Sequence, residues 1–158
     1  TGVDFWSFGI SNAAVEEVGA PNTIHAHCRL QWTFTGAACS DAVSALASAI
    51  NKMSGFSDCG TSEKCGYVMG TQNATFIAAK HETPVKHYKD DLTMSFSASG
   101  SDCKVQGYST SEIWYAVLDD GTNYCNLHNL AVASGLTFKE DVSASDCTQL
   151  AIANCDKY

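Results

Sequence analysis

The residues best equipped for chemistry lie near the start of the chain, in TIHAHCRLQWTFT (residues 23–35). His25 and His27 sit two positions apart, the spacing that puts both imidazoles on one side of a β-strand, where a zinc or copper ion could take two nitrogen ligands. A third ligand must come from another element, and His128, in YCNLHNL, is the best placed, with His81 and His87 the remaining histidines. His25, His27 and His128 are therefore the candidate metal set. Arg29 shares their side of the strand, and its charge raises the cost of a cation there, so a solvated polar face is the simpler reading.

Other catalytic and metal patterns are weaker. Asp119-Asp120-Gly121-Thr122-Asn123 opens like a calcium loop, but Leu130 stands where an EF-hand requires its final glutamate. A looser calcium site would draw on Asp90, Asp91, Glu140 or Asp141. No GxSxG or HExxH motif is present. A small nuclease built on His25 or His27, His128 and Lys80 or Lys86 is disfavoured by the net charge of −8, which repels phosphate backbones. No catalytic residue is assigned, and the balance is against an enzyme. The same charge argues against nucleic acid or an anionic membrane surface as partner.

The elements that must position these residues follow from periodicity. Ile24, Ala26, Cys28, Leu30, Trp32 and Phe34 alternate with polar residues, which predicts a half-buried strand. Gly36 ends it, and Val43, Leu46, Ile50 and Met53 then follow helical spacing, with Ser40 as expected N-cap and Ser54-Gly55 as the stop. Strands are expected over residues 64–71, 74–81, 91–98, 103–110 and 113–118, with a loop at 97–102 and a break near Pro84. Asp120-Gly121 reads as a hairpin turn leading into a further strand over 124–132. Residues 136–158 are less regular, and residues 1–22 form a possible arm anchored by Phe5, Trp6 and Phe8. The fold expected is α+β: one amphipathic helix on a curved antiparallel sheet, a cystatin-like or helix-grip-like plan, in a single domain over 1–158.

Eight cysteines, at positions 28, 39, 59, 65, 103, 125, 147 and 155, are even in number and unclustered, with no CxxC pair. Four disulfides and a secreted location are the expectation, with the pairing left open. The start, TGVDFWSFGI, reads as a processed terminus, and no apolar stretch reaches the length of a membrane span. Asn73-Ala74-Thr75 is a glycosylation sequon.

The remaining signal is aromatic and apolar. Small and medium residues on the helix face leave room against the sheet, and Trp32, Phe34, Ile50, Met94, Phe96 and Trp114 are the expected wall of a ligand site. The occupant expected is a bound hydrophobic small molecule such as a lipid or pigment, held without catalysis. The alternative partner is another extracellular protein, recognised by a cystatin-like inhibitor or lectin-like defence module, with a small histidine-dependent enzyme third.

CKVQGYSTSEIWYAVLDDGTNYCNLHNL (103–130), CTQLAIANCDKY (147–158) and TIHAHCRLQWTFTG (23–36) together resemble a set of small secreted, cysteine-rich proteins of aquatic invertebrates. The resemblance implies an extracellular protein folded as one domain over its whole length, and carries no activity or functional residue.

Overall fold

The computed structural model describes residues 25–57, 59, 62–112 and 119–156. The expected arm at 1–22, Ile24, the strand expected at 113–118 and its Trp114 lie outside them. The described chain is α+β, a six-stranded antiparallel sheet with two helices on one face and four disulfides.

The first strand, β1 (His27–Phe34), keeps the alternation of its sequence: Cys28, Leu30, Trp32 and Phe34 are buried, and His27, Arg29, Gln31 and Thr33 between them only half so. Helix α1 (Cys39–Lys52) follows, burying Ala42, Val43, Leu46, Ala47, Ala49 and Ile50. Burying side chains such as Leu46 and Ile50 contributes about 1.5–3 kcal/mol each. Ala38, and not the expected Ser40, occupies the cap position without a side-chain hydrogen bond, because the helix already begins at Cys39, whose bridge to Cys103 ties its first turn to the sheet.

Four strands then run as a meander: β2 (Tyr67–Gln72), β3 (Phe76–Glu82), β4 (Lys89–Ser99) and β5 (Asp102–Ser111). The expected loop at 97–102 shrinks to a two-residue turn, Gly100-Ser101, with Gly100 at φ +61°, because Ser99 and Asp102 still pair. The sheet order is β2-β3-β4-β5-β1-β6, where β6 is Phe138–Asp141. The first strand is thus seated between two that follow it much later in the chain. Beyond the end of β6, residues 146–148 continue along β1: Arg29 N–H donates to Asp146 O, and Thr148 N–H to His27 O. The Cys28–Cys147 bridge lies within this pairing. At the opposite edge, β2 carries a bulge between Met69 and Thr71 and β6 is only four residues long, two devices that discourage edge-to-edge association.

The main departure from the sequence reading is residues 122–133. The expected strand over 124–132, and with it the single-helix plan, gives way to a second helix, α2 (Thr122–Ala133). Asp119 explains the start: its carboxylate accepts from the backbone N–H groups of Gly121 and Asn123, as a carboxylate at a helix N-terminus does. Gly121 sits at φ +80°, and a Cβ there would lie 2.5 Å from Ala153 Cβ, so the turn requires glycine. The Asp-Gly pair opens a helix here, not a hairpin. The Cys125–Cys155 bridge secures α2 to the tail, and Cys59–Cys65 closes the loop after α1.

Both helices pack on the inner face of the sheet. Leu46, Ile50, Leu127 and Leu130 share one apolar cluster with Trp32, Phe34, Ile77, Leu92, Met94 and Val105. Among the described residues no helix is long and apolar enough to cross a membrane.

Candidate functional site

At one end of this inner face the core turns polar. Strand register pairs Tyr67 with His81, His81 with Asp90 and Asp90 with Ser111, a row running across β2, β3, β4 and β5. Parity places them on the same face as Ile77, Leu92 and Met94. His81 is 0% exposed and Asp90 3%, so a titratable pair stands where the apolar pattern calls for hydrophobic side chains.

Helix α2 covers the row with amides. Asn126 Nδ2 donates to Asp90 Oδ2 (2.7 Å) and to Ser109 Oγ (3.3 Å), while Tyr67 Oη donates to the backbone carbonyl of Asn126 (2.7 Å). Ser109 Oγ donates to Asn123 Oδ1 (2.6 Å), and Asn123 Nδ2 donates to Ser111 Oγ (3.1 Å) and Asp119 Oδ2 (3.0 Å). Buried amides in such chains are held in one orientation, since any rotation leaves a donor or acceptor unmet.

His81 is the exception to this completeness. Its Nε2 lies 2.8 Å from the backbone oxygen of Glu63, and a carbonyl only accepts, so Nε2 carries a proton. Nδ1 has no hydrogen-bond partner among the described residues and stands 3.8 Å from Asp90 Oδ2. Glu63 Oε1 is likewise buried without a partner. Burial, opposed by the His81 charge and a hydrogen bond from Thr122 and reinforced by the Asp90 charge, raises the Glu63 carboxyl above its ordinary pKa. Burial and the Asp90 and Glu63 charges push the Tyr67 phenol up as well, so it stays a donor. Asp119 is raised by burial against the hydrogen bonds from Asn123 and Gly121.

The approach to this end of the sheet is apolar. Phe56 packs edge-on against His87 in the β3–β4 connection, and Phe56, Val85 and Tyr88 are exposed. Gly66, at φ +73°, lets the chain pass within contact of Glu82 O, where a Cβ would come to 2.2 Å, and so brings residues 62–66 against the strand that carries His81.

A second carboxylate centre lies at the β6 side. Glu140, opposite Trp32 in register, accepts from Trp32 Nε1 (3.0 Å), Tyr124 Oη (2.6 Å) and His128 Nδ1 (3.0 Å). Tyr124 stacks on His128 with ring centroids 5.3 Å apart. Burial alone would raise Glu140, yet the hydrogen bonds from His128, Tyr124 and Trp32 outweigh it and hold the carboxyl below its ordinary value. This centre is fully satisfied and joins α2 to β1 and β6.

The three histidines of the expected metal set are not brought together. His128 meets Glu140 on the inner face beside Trp32, whereas His27 lies on the opposite face of β1, its ring 6.5 Å from Tyr108. His25 Nδ1 is engaged by Ser111 O and His27 Nδ1 by His25 O. Among the described residues no group of three His, Cys, Asp or Glu side chains is placed to hold a metal. The looser calcium set also separates: Asp90 points inward, while Asp91 points outward to Lys80 (2.7 Å), which also reaches Glu112 (2.5 Å).

Of the expected ligand wall, Trp32, Phe34, Ile50 and Met94 are fully buried and Phe96 nearly so, all packed in the common core. Asn73 lies on the exposed β2–β3 turn, its Oδ1 accepting from Thr75 N–H. All eight cysteines are paired. The sequence reading missed His81, Asp90 and Glu63 as a centre. The signal was present: by parity Asp90 shares a face with Leu92, Met94 and Phe96, and His81 with Ile77 and Ala79.

No protein-family model matches this chain, and no curated protein or solved structure does either. Function rests on the geometry alone.

Proposed function

We propose that the chain is a non-catalytic, extracellular binding protein for a small, partly apolar ligand, taken up at the polar end of the space between helices and sheet. The observation that carries this is the pair of buried, partnerless atoms His81 Nδ1 and Glu63 Oε1. Leaving such groups unmet costs about 1–3 kcal/mol each, an expense a fold retains where a ligand supplies the partner. The exposed Phe56, Val85 and Tyr88 at the same end offer the apolar part of that ligand a surface. A helix-grip plan, with helices layered on one sheet face and the ligand entering at the end of that layer, belongs to the same reading. Four disulfides fit an extracellular protein, and the set of small secreted invertebrate proteins is the proposed kinship.

Native and denaturing mass spectrometry on protein from its natural source tests the reading. An organic mass lost on denaturation is the expected result. Equal masses, after correction for disulfides and glycan, overturn it.

A further inference from the structure

The two edges of the sheet are protected unequally. At one edge β6 is four residues long and carries the exposed Lys139 and Asp141, charges that penalise another strand laid alongside. At the other, β2 is longer and reads YVMGTQ, with no charge and no proline. Among the described residues it pairs with β3 alone, and Val68 is 59% exposed. The bulge between Met69 and Thr71 interrupts the strand at one point and leaves Tyr67 to Met69 in regular register. An uncharged segment of this kind, rich in strand-forming residues and open along one side, recruits a second copy unless something bars the way.

The sequon stands where such a barrier is needed. Asn73 follows directly on the last residue of β2, and residues 71–75 are all exposed. Asn73 N–H donates to Phe76 O (2.9 Å), while Thr75 N–H (2.9 Å) and Thr75 Oγ1 (3.4 Å) donate to Asn73 Oδ1. The turn thus uses the main chain of Asn73 and its side-chain oxygen. Nδ2 makes no hydrogen bond among the described residues, so a substituent on it breaks nothing in the fold.

We propose that Asn73 carries an N-linked oligosaccharide, and that this sugar shields the open edge of β2 from a second copy of the chain. In the transfer, Asn73 Nδ2 attacks the anomeric carbon of a lipid-diphosphate-linked oligosaccharide. The bond from Nδ2 to that carbon forms, the carbon–oxygen bond to phosphate breaks, the lipid diphosphate leaves with the electron pair, and Nδ2 gives up one proton. Rooted one residue past the strand, the bulky, hydrated group occupies the space that a neighbouring strand needs. The inference uses the extracellular part of the proposed function and is independent of the ligand.

The test begins with peptide mapping of protein from its natural source. After reduction and alkylation, trypsin releases residues 65–80, in which Asn73 is the sole asparagine. An amidase that removes N-linked sugar, acting in heavy-oxygen water, is expected to convert Asn73 to labelled aspartate. An unmodified Asn73 overturns the proposal. Alkylation without reduction then separates the causes: a fully disulfide-bonded chain leaves the extracellular reading standing, and free thiols throughout overturn both. Light scattering reads the edge. The glycosylated chain is expected to be monomeric, and to double in mass or grow further when the sugar is removed under native conditions or the sequon is removed by Thr75→Ala. Near-UV circular dichroism checks the fold of that variant, and enzymatic removal from the folded protein needs no variant. Val68→Lys, at an exposed position, should return the sugar-free chain to a monomer by placing a charge on the strand. A sugar-free chain that stays monomeric at the same concentration, or association that Val68→Lys leaves untouched, overturns the shielding role.

Discussion

Glu140, at the β6 side of the sheet, receives hydrogen bonds from Trp32, Tyr124 and His128, with both its oxygens engaged. Asp90, on β4, receives one from Asn126 and faces a histidine nitrogen with no hydrogen-bond partner. Both connect α2 to the sheet. The first connection is complete within the chain, and its carboxyl is correspondingly held below its ordinary pKa. Near the second, Glu63 is raised by burial. A carboxylate whose hydrogen bonds outweigh its burial favours the folded state, and one whose burial outweighs them opposes it. The difference separates a centre completed within the chain from one that leaves two buried atoms unmatched.

The comparison can be broken by substitution. Glu140→Ala strands three donors at once and should cost about 2–4 kcal/mol, read as a lower denaturant midpoint at unchanged slope. The sign of its pH dependence follows from the lowered carboxyl. Its contribution is fully present above the ordinary glutamate pKa and is lost as pH falls through the lower folded value, so Glu140→Gln should unfold at a higher pH during acid titration. Tyr124→Phe removes one donor and leaves two, and about 1 kcal/mol is expected from the same measurement.

At the other centre the sign should reverse. Glu63→Gln removes a carboxylate whose folded pKa is raised, so the parent loses stability as pH climbs from the ordinary glutamate value through the folded one. The variant should be equal or more stable by up to about 1 kcal/mol at pH 8, with the gap closing near pH 4. A loss of stability comparable to that of Glu140→Ala would show that the two centres are alike. Asp91, on the outer face, is the smallest case. Burial and the neighbouring Glu112 push it up to about 7 while Lys80 opposes them. Because its folded pKa is raised, stability falls as pH rises from about 4 to about 7, and Asp91→Asn should flatten that slope. Lys80 is well exposed, so solvent screens the pair and keeps that slope shallow.

What the amino-acid pattern discloses here is local. The alternation from Ala26 to Phe34 and the helical spacing of Val43, Leu46 and Ile50 each report which side of an element is buried, and both faces are found as read. Helix α2 escapes because its buried side carries Asn123, Asn126 and Asn129 beside Leu127 and Leu130, which blurs the apolar stripe, and because Asp120-Gly121 is equally at home in a hairpin. The candidate site escapes for a different reason. Its row depends on register, and nothing local says that Tyr67, His81, Asp90 and Ser111 are neighbours across four strands. The disulfides show the same limit: their number follows from composition, their partners only from the fold.

The position of β1 has a consequence for how the chain is made. It is made before its partners, since β5 and β6 begin only at Asp102 and Phe138. Until then its edges are open, and Cys28 is separated by 119 residues from Cys147 while Cys39 is close at hand. Neither Cys28 nor Cys39 has its native partner until much more of the chain is made, and any link between the two would have to be exchanged for the native bridges. Completing the native sheet is therefore a late event, governed by the arrival of the segment that carries β6.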